Sequence, residues 1–296
     1  MTERGTFLVV GGDSLVGGGL LRALRRAGHK ALTTTRRRDT VTPERFFLDF
    51  ESKARFRIPQ GVAYAFIVAA ATNYERCETD PLAYRINVEF IPSLIESLLE
   101  QGVFVTFVST NAVFGGERPW PGENDEHAPG IAYARQKSEA EQAIRAAGRR
   151  LDALDRLNIV RLTKILACVT SPLPDWLASW KRGETIYPFS DLIFSPMSAQ
   201  FAGEALAVIG EKRIPGNLHL SGAENVSYVD LATVLVERLK VSPRLISPTT
   251  AVEKSVNIPF KPRYSGLGMR RTTELTGLVP QTLEGVVNDL VAAIGN

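Results

Sequence analysis

The sequence predicts an α/β fold with a doubly wound parallel sheet and a smaller, discontinuous C-terminal lobe. Over the first 160 or so residues, short apolar runs alternate with stretches of helical periodicity. Runs such as Thr6–Val10 are apolar throughout, which is typical of parallel strands buried on both faces. Beyond Thr163 the alternation weakens and prolines interrupt the chain. A regular sheet followed by a lobe assembled from separate pieces accounts for both observations.

Composition excludes several classes of protein. With 44% apolar and 23% charged residues, the 296-residue chain resembles ordinary globular proteins. A net charge of +3 gives no reason to expect nucleic acid. Cys77 and Cys168 lack the spacing of a zinc site or a disulfide framework, so we expect no metal and a reducing cytoplasm. No signal-peptide pattern opens the sequence, and its longest apolar stretch is too short to cross a bilayer. We therefore expect no membrane association.

A glycine-rich turn joins the first predicted strand to the first helix. The strand Thr6–Val10 runs into Gly11-Gly12-Asp13-Ser14-Leu15-Val16-Gly17, and helical periodicity then continues to Gly28. This is the opening of a Rossmann-type dinucleotide-binding unit, in which glycines admit a pyrophosphate to the helix N-terminus. The alternative is a plain tight turn, since serine replaces the usual middle glycine. The predicted phosphate contacts are Gly11, Asp13, Ser14, Leu15, Val16 and Gly17.

A basic segment follows the second predicted strand, which covers residues 30–34. The residues after it are Thr35-Arg36-Arg37-Arg38. In a Rossmann fold this strand end meets the adenosine ribose, where an acidic residue binds a 2′-hydroxyl and arginine suits a 2′-phosphate. The segment therefore predicts NADP(H) rather than NAD(H), with Arg36 as the first candidate, Arg37 as the second and Thr35 beside them. A solvated basic loop is the alternative.

Two further strand ends supply candidate cofactor contacts. The third strand, about residues 45–50, contains Asp49 and Phe50, and Asp49 could accept a bond from the adenine amino group or cap a turn. The fourth strand, residues 62–68, is followed by Ala69-Ala70-Ala71, whose small side chains would let the cofactor pass closely. Core packing is the alternative for these alanines.

The fifth predicted strand and the helix after it carry a proton-donating constellation. The strand covers residues 103–108 and delivers Ser109 and Thr110, while a helix over residues 132–147 opens with Tyr133 and Lys137. Residues four apart lie on one helix face, so the phenol and the ammonium both point toward the strand end. This arrangement suits proton transfer to a carbonyl. The alternative is a half-buried aromatic ring beside a solvated lysine.

The remaining periodicity predicts the domain organisation. A helix over about 81–101 contains a polar Asn87, and a strand at 158–162, helices at 198–209, 228–239 and 283–294 and a strand at 217–220 follow. We expect residues 1–163 to form an NADP-binding domain that is completed by about 198–240. Residues 164–197 and 241–296 would form the substrate-binding lobe.

Taken together, these motifs resemble those of extended short-chain dehydrogenases/reductases, and most closely the dTDP-4-dehydrorhamnose reductase group. The resemblance is carried by the following segments: the loop 11–17, Ala69-Ala70-Ala71, Cys77-Glu78, Asn87, Ser109-Thr110-Asn111-Ala112-Val113-Phe114, Tyr133-x-x-x-Lys137 and Pro262-x-x-Ser265-x-Leu267. It implies an NADPH-dependent reductase of a keto group on a nucleotide-activated sugar. A small-molecule substrate is the expected partner, and a homodimer is possible.

The resemblance also implies roles for individual residues. Tyr133 would protonate the substrate carbonyl, and Thr110 would hydrogen-bond its oxygen. Lys137 would lower the pKa of Tyr133 through its charge and hold the nicotinamide ribose. Asn87 would contact the cofactor, tie its helix to a strand or support a proton-relay water, and Ser109 would lie at the cofactor. The expected substrate contacts are Asn111, Val113, Trp176 and Arg263. Core packing is the alternative for Trp176, which lies four residues before Trp180, and a structural ion pair is the alternative for Arg263.

Departures from the family pattern bear on the reaction and the substrate. Asn111 stands where the reductases carry Asp, and Asn111-Ala112 lacks the carboxylates of sugar-nucleotide dehydratases, so dehydration is disfavoured. The segment Arg161-Leu162-Thr163-Lys164 replaces the usual family segment after the sixth strand, so the resemblance does not identify the sugar of the substrate. Two alternatives remain: an epimerase that retains NAD(H), which the Arg36–Arg38 cluster disfavours, and a non-catalytic NADP-binding regulatory subunit.

Overall fold

A computed structural model describes residues 5–51 and 56–295 of the chain. Seven parallel strands form one sheet in the order β3-β2-β1-β4-β5-β6-β10. These strands are β1 (Thr6–Val10), β2 (Ala31–Thr35), β3 (Arg45–Phe47), β4 (Val62–Ile67), β5 (Phe104–Thr110), β6 (Leu157–Leu162) and β10 (Gly216–Leu220). The strand order reverses between β1 and β4, which is the switch point where open α/β sheets bind ligands. The predicted Rossmann-type sheet is confirmed.

Helices cover both faces of this sheet. The α-helices of the sheet domain are α1 (Leu15–Arg26), α2 (Tyr74–Thr79), α3 (Pro81–Tyr84), α4 (Ile91–Glu100), α5 (Ala132–Arg150) and α7 (Ala199–Lys212). Alternate strand residues face opposite sides, so Leu8 and Val10 pack toward α4 and α5, whereas Phe7 and Val9 pack toward α1 and α7. Because the strands are parallel, their carboxyl ends all lie along one edge of the sheet, and the two cores hold them in place.

The predicted helix over 81–101 is interrupted. A π-helical segment, Arg85–Phe90, lies between α3 and α4. Pro92 cannot donate a backbone hydrogen bond, and its ring would clash with the carbonyl four residues earlier, at Val88. The wider π turn relieves this conflict and contains Asn87. A further difference is that β3 ends at Phe47, so Asp49 and Phe50 follow the strand rather than lie within it.

The C-terminal lobe has a core of its own. It is built from α6 (Leu173–Lys181), α8 (Tyr228–Leu239), α10 (Leu283–Ile294) and the short strands β7 (Lys164–Leu166), β8 (Ile193–Phe194), β9 (Pro196–Ser198) and β11 (Val226–Ser227). The helix α9 (Arg270–Thr276) packs instead on β10 of the sheet, where the Thr272 hydroxyl donates a hydrogen bond to the backbone carbonyl of His219. Leu231 and Leu235 of α8 pack with Val286 and Leu290 of α10. The apolar face of α8 is buried in this core. The predicted domain boundaries stay a prediction, while α7, β10 and α9 pack with the sheet.

Across residues 5–51 and 56–295, none of the helices combines the length and the apolar character that crossing a bilayer requires.

Candidate active site

A cleft of about 420 Å³ opens at the carboxyl edge of the sheet, between β1 and β4. Ten of the predicted cofactor contacts line it: Gly11, Asp13, Ser14, Thr35, Arg36, Asp49, Phe50, Ala69, Ala70 and Ala71. The sequence therefore located most of this cleft. Leu15, Val16, Gly17, Arg37, Asn87, Ser109 and Lys137, which we had also expected to contact the cofactor, are not part of its lining.

The glycine loop is shaped by close contacts between backbone segments. Gly11 has φ +97°, and a Cβ atom on it would lie 2.7 Å from the backbone nitrogen of Ala69. A Cβ atom on Gly17 would lie 2.3 Å from the carbonyl oxygen of Gly11, so Gly17 is needed for packing beneath the loop. Both positions need glycine for steric reasons, and the loop backbone remains open toward the cleft. These features fit a dinucleotide.

Ser14 replaces a family glycine and caps α1. Its Oγ accepts a hydrogen bond from the backbone N–H of Gly17 at 3.0 Å and donates one to the carbonyl oxygen of Gly11 at 2.8 Å. Serine is among the best N-cap residues because its hydroxyl satisfies a free helix N–H. The substitution thus closes the loop on itself without blocking the cleft.

The arginines after β2 have different surroundings. Asp13 accepts a bond from Thr35 at 2.7 Å and forms ion pairs with Arg37, at 3.4 Å, and with Arg45. Burial alone would raise the pKa of Asp13, but these partners lower it. Arg36 is exposed, lines the cleft and has no side-chain hydrogen bond or ion pair with any other described residue. Arg36 is therefore available for a 2′-phosphate, whereas Arg37 is engaged with Asp13.

Asp49 lines the cleft and also caps a turn. Its Oδ1 accepts a hydrogen bond from the backbone N–H of Glu51 at 3.0 Å. The second carboxylate oxygen forms no hydrogen bond with the described residues. Adenine contact by Asp49 stays a prediction, and the capping role that we gave as its alternative is present.

Asn87 fastens the π-helical segment to the end of β4. Its Oδ1 accepts a bond from the backbone N–H of Ala71, its Nδ2 donates to the carbonyl oxygen of Ala71, both at 2.9 Å, and Nδ2 also donates to Gln136 at 2.8 Å. Asn87 is buried and lies outside the cleft lining, so its predicted contact with the cofactor stays a prediction. It holds Ala71, which does line the cleft, and thereby performs the tying role that we considered.

A second cavity of about 730 Å³ lies between the sheet edge and the lobe. Its lining includes Thr110 and Asn111 from the end of β5, Tyr133 from α5 and residues 258–262 from the lobe. Thr72 and Asn73 line both this cavity and the cofactor cleft, so the two spaces adjoin. A hydroxyl pair, Thr110 and Tyr133, is thus exposed to a substrate-sized space next to a cleft that fits a dinucleotide.

The pKa of the Tyr133 phenol is shifted upward. Burial raises the pKa of the phenol, nearby Tyr74 and Cys77 raise it further, and a hydrogen bond with Thr110 only partly offsets this. The net shift of the Tyr133 pKa is thus upward, and the predicted lowering by the charge of Lys137 stays a prediction. The physical reason is exclusion of water, which destabilises the phenolate more than its polar neighbours stabilise it.

Lys137 is buried beneath the site. Its Nζ donates to the carbonyl oxygen of Val108 at 2.8 Å and lies 3.7 Å from the centroid of the Phe107 ring. Burial lowers the pKa of Lys137 to about 7, and the charge of Glu141 raises it in opposition. The ammonium is consequently directed at the backbone of β5, the strand that carries Thr110.

Neighbouring hydroxyls on β5 face opposite ways. Thr110 lines the substrate cavity, whereas Ser109 is buried on the α5 side, where its hydroxyl helps to lower the pKa of Glu141. Successive strand residues alternate between faces, so only one of the two can contact substrate. The cofactor contact by Ser109 stays a prediction, and Thr110 lies in the wall of the substrate cavity.

Of the expected substrate contacts, only Asn111 lines the cavity. Its amide donates to the carbonyl oxygen of Ser265 at 2.8 Å and to the Ser265 hydroxyl at 3.0 Å, which joins β5 to the lobe. Val113 is fully buried against Phe114 and Leu267, so it cannot contact substrate. Arg263 lies outside the lining, with its guanidinium 5.4 Å from the Tyr264 ring.

Trp176 was also expected at the sugar pocket, but it lies in the core of the lobe. Its ring packs edge-on against Tyr228, with 6.2 Å between centroids, and Tyr228 is the ring that lines the cavity. The i, i+4 spacing of the two tryptophans reflects the buried face of α6, which was the alternative reading. Sequence reasoning missed Tyr74, Lys164 and Tyr228 as cavity residues; only Lys164 had a signal, since it lies in a segment that departs from the family pattern.

The fold and the paired cavities define an oxidoreductase of the extended short-chain dehydrogenase/reductase class. A family model described as "RmlD substrate binding domain" matches residues 5–295. The chain belongs to this family.

Individual relatives agree with that membership. The chain is 30% identical over 217 residues to a probable dTDP-4,6-dihydroxy-2-methyloxan-3-one 4-ketoreductase of Streptomyces antibioticus, covering 72% of this chain and 71% of the relative. It is 28% identical over 223 residues to a dTDP-4-dehydrorhamnose reductase of Mycobacterium tuberculosis, covering 72% and 70%. A crystal structure of dTDP-4-dehydrorhamnose reductase from Bacillus anthracis in complex with NADP matches with a TM-score of 0.80 at 17% identity, covering 99% of both chains. The match to the Bacillus anthracis structure is evidence for the fold alone.

Proposed function

We propose that this protein is an NADPH-dependent reductase of a keto group on a nucleotide-activated sugar. The observation that carries the proposal is the hydroxyl pair, Thr110 and Tyr133, in the wall of a cavity that adjoins the cofactor cleft at Thr72 and Asn73. The relatives from Streptomyces antibioticus and Mycobacterium tuberculosis, both named as reductases of dTDP-linked keto sugars, support this substrate class.

Tyr133, Thr110 and Lys137 have separate roles in the proposed reaction. The bound cofactor supplies a hydride. The Tyr133 hydroxyl donates its proton to the substrate carbonyl oxygen, and the Thr110 hydroxyl fixes that oxygen by a hydrogen bond. A raised pKa suits Tyr133 to this task, because the phenol keeps its proton at neutral pH until the carbonyl oxygen gains negative charge. Lys137, by its charge, would stabilise the tyrosinate that remains.

Two alternatives make different predictions. An epimerase would retain NAD(H) and regenerate it within each cycle. Arg36, which lines the cleft after β2 and has no ion-pair partner among the described residues, favours a 2′-phosphate instead. A regulatory subunit would bind NADP(H) without turnover, and it would have no need for a phenol in the wall of a cavity next to the cofactor cleft. The reductase is the function that the geometry supports best.

Cellular location and assembly remain part of the proposal. Cys77 and Cys168 are free thiols, as a reducing cytoplasm would keep them. A homodimer through the helices after β4 and β5 is common in the superfamily and stays a prediction here.

Turnover with a panel of substrates tests the function. We expect the purified protein to bind NADPH more tightly than NADH and to oxidise NADPH in the presence of keto sugars linked to dTDP or UDP. Tyr133→Phe should lower kcat by roughly 10²–10⁴-fold with little change in NADPH affinity, because only the general acid is lost. Tyr187→Phe, which alters an exposed tyrosine outside the cavity, is the matched control.

The other outcomes are distinct. Equal turnover by Tyr133→Phe and the unmodified protein would remove Tyr133 from the mechanism. Tight NADPH binding without oxidation by any keto sugar would favour the regulatory subunit. Inversion of a sugar without net cofactor oxidation would favour the epimerase.

A further inference from the structure

Lys164 is a cation in the wall of the substrate cavity that the proposed chemistry does not use. It is the first residue of β7, lines the cavity and is exposed to it. Its ammonium has no hydrogen bond or ion pair with any side chain or backbone atom among residues 5–51 and 56–295. The surrounding protein lowers the pKa of Lys164, because no partner compensates for the water it has lost. An anion that enters the cavity would therefore stabilise the charged form of Lys164.

The other charged residues of the lining do not provide a second uncompensated positive charge. Lys261 is neutralised by Asp191, with 2.7 Å between Nζ and the carboxylate. Glu75, on α2, contributes the single negative charge of the lining, and no ion pair joins it to Lys164 among the described residues. Lys164 is thus the lysine of this cavity whose charge is left for a ligand.

The position of Lys164 indicates which part of a substrate it would meet. In the register of β5 and β6, Thr110 lies beside Leu162, and Lys164 follows Leu162 by two residues. Lys164 therefore extends from the same sheet edge as Thr110, one strand over. The carbonyl that receives hydride must lie against Thr110 and Tyr133, so the sugar ring, rather than the nucleotide, is the substrate part next to this edge.

We propose that Lys164 selects a sugar that carries a negatively charged substituent, namely the carboxylate of a nucleotide-linked uronic acid. This inference rests on the proposed function and specifies its substrate class. A carboxylate opposite a partly desolvated ammonium forms a charge-assisted hydrogen bond, which neutral hydroxymethyl or methyl substituents cannot match. Removing a bond of this kind changes affinity by roughly 10–100-fold.

Binding measurements test this inference without relying on turnover. We expect UDP-glucuronate to bind the NADPH-loaded protein roughly 10–100-fold more tightly than UDP-glucose, as measured by calorimetry. The two ligands differ only at C6. Lys164→Met should abolish the preference, Lys164→Arg should retain much of it, and both variants should bind UDP itself as the unmodified protein does. Lys254→Met, outside the cavity, is the control for a general loss of positive charge. The dTDP-linked pair extends the test to the other nucleotide.

Three results would overturn the inference. The first is equal affinity of the unmodified protein for the uronate and the neutral sugar with either nucleotide. The second is a loss of affinity for UDP in Lys164→Met, which would assign the cation to the diphosphate. The third is an unchanged preference in Lys164→Met. The proposed function is tested separately, by NADPH oxidation. If the protein reduces neutral keto sugars, the inference about Lys164 is wrong, but the proposed reductase function still stands.

Discussion

Arg161 of β6 and Glu141 of α5 form a two-point ion pair within the protein interior. The Nε–Oε1 distance is 3.0 Å and the second nitrogen–oxygen distance is 2.7 Å, with both side chains almost completely buried. Arg161 also donates to the carbonyl oxygen of Glu123 at 3.0 Å and lies 3.1 Å from His219 and 3.0 Å from His127. Every donor direction of the guanidinium is thereby used. The pair fixes α5, which carries the proton donor, to the strand beside Thr110.

Glu141→Gln should strongly destabilise the fold. Breaking a buried ion pair from one side leaves the other charge desolvated and uncompensated, which costs about 3–5 kcal/mol. Urea unfolding should show this as a lower midpoint with little change in slope. Glu184→Gln removes the acidic partner of exposed Arg182 and is the matched control, with an expected loss of less than about 1 kcal/mol. Similar losses in the two variants would contradict the importance of the buried pair.

His219 should make stability sensitive to mild acid. Burial and the charge of Arg161 lower the pKa of His219 to about 3, although the Gly268 carbonyl opposes them. The imidazole stays neutral in the folded protein, whereas in the unfolded chain it binds a proton below its ordinary pKa of about 6.5. The unfolded state then holds more protons, so this contribution to stability is complete above pH 6.5 and falls as pH decreases toward 3. The expected loss between pH 6.5 and 4.5 is about 2 kcal/mol.

The corresponding variant is His219→Gln, which retains polar atoms but does not titrate. Unfolding free energies measured at pH 7 and pH 4.5 should differ less for this variant than for the unmodified protein. His127, whose pKa burial also lowers, leaves some acid sensitivity in both. An identical pH dependence of the two proteins would show that His219 is not the residue responsible.

Local patterns were enough to predict the sheet and most of the cofactor cleft. The apolar run Thr6–Val10 and the glycine turn after it encode their structure within a dozen residues, so β1 and α1 lie where they were expected. The helical i, i+4 rule likewise places Tyr133 at the cavity and Lys137 on the same side of α5, toward β5. Each of these inferences depends on neighbours in the sequence.

Other features depend on contacts between distant segments, which periodicity cannot supply. Val113 and Trp176 satisfy sequence patterns for a binding pocket, yet the lobe packs over them. The upward direction of the Tyr133 pKa shift follows from burial of the phenol, to which nearby Tyr74 and Cys77 add, and not from the Tyr-x-x-x-Lys spacing. The same holds for Arg37, since its engagement with Asp13 joins residues 24 positions apart.

Arg36→Ala should discriminate between the two nicotinamide cofactors. The three consecutive arginines differ in their contacts. Arg37 pairs with Asp13, and Arg38 stacks 3.8 Å over the Phe47 ring. Arg36 lines the cleft and has no ion-pair partner among the described residues. The NADPH 2′-phosphate offers a charge-assisted bond that NADH lacks. We expect the Kd for NADPH to rise by roughly 10–100-fold, with little change for NADH, in fluorescence titrations.

Arg38→Ala is the matched control, because it removes the same charge two residues away without removing a cleft residue. It should change the NADPH affinity only slightly at physiological salt, where exposed charges are screened. The Arg36→Ala effect should itself diminish at high salt. If Arg36→Ala weakened NADPH and NADH equally, the arginine would act on the part common to both cofactors. If instead Arg38→Ala matched Arg36→Ala, the selectivity would come from the summed basic charge of the segment, and the contact geometry of Arg36 would carry no special weight.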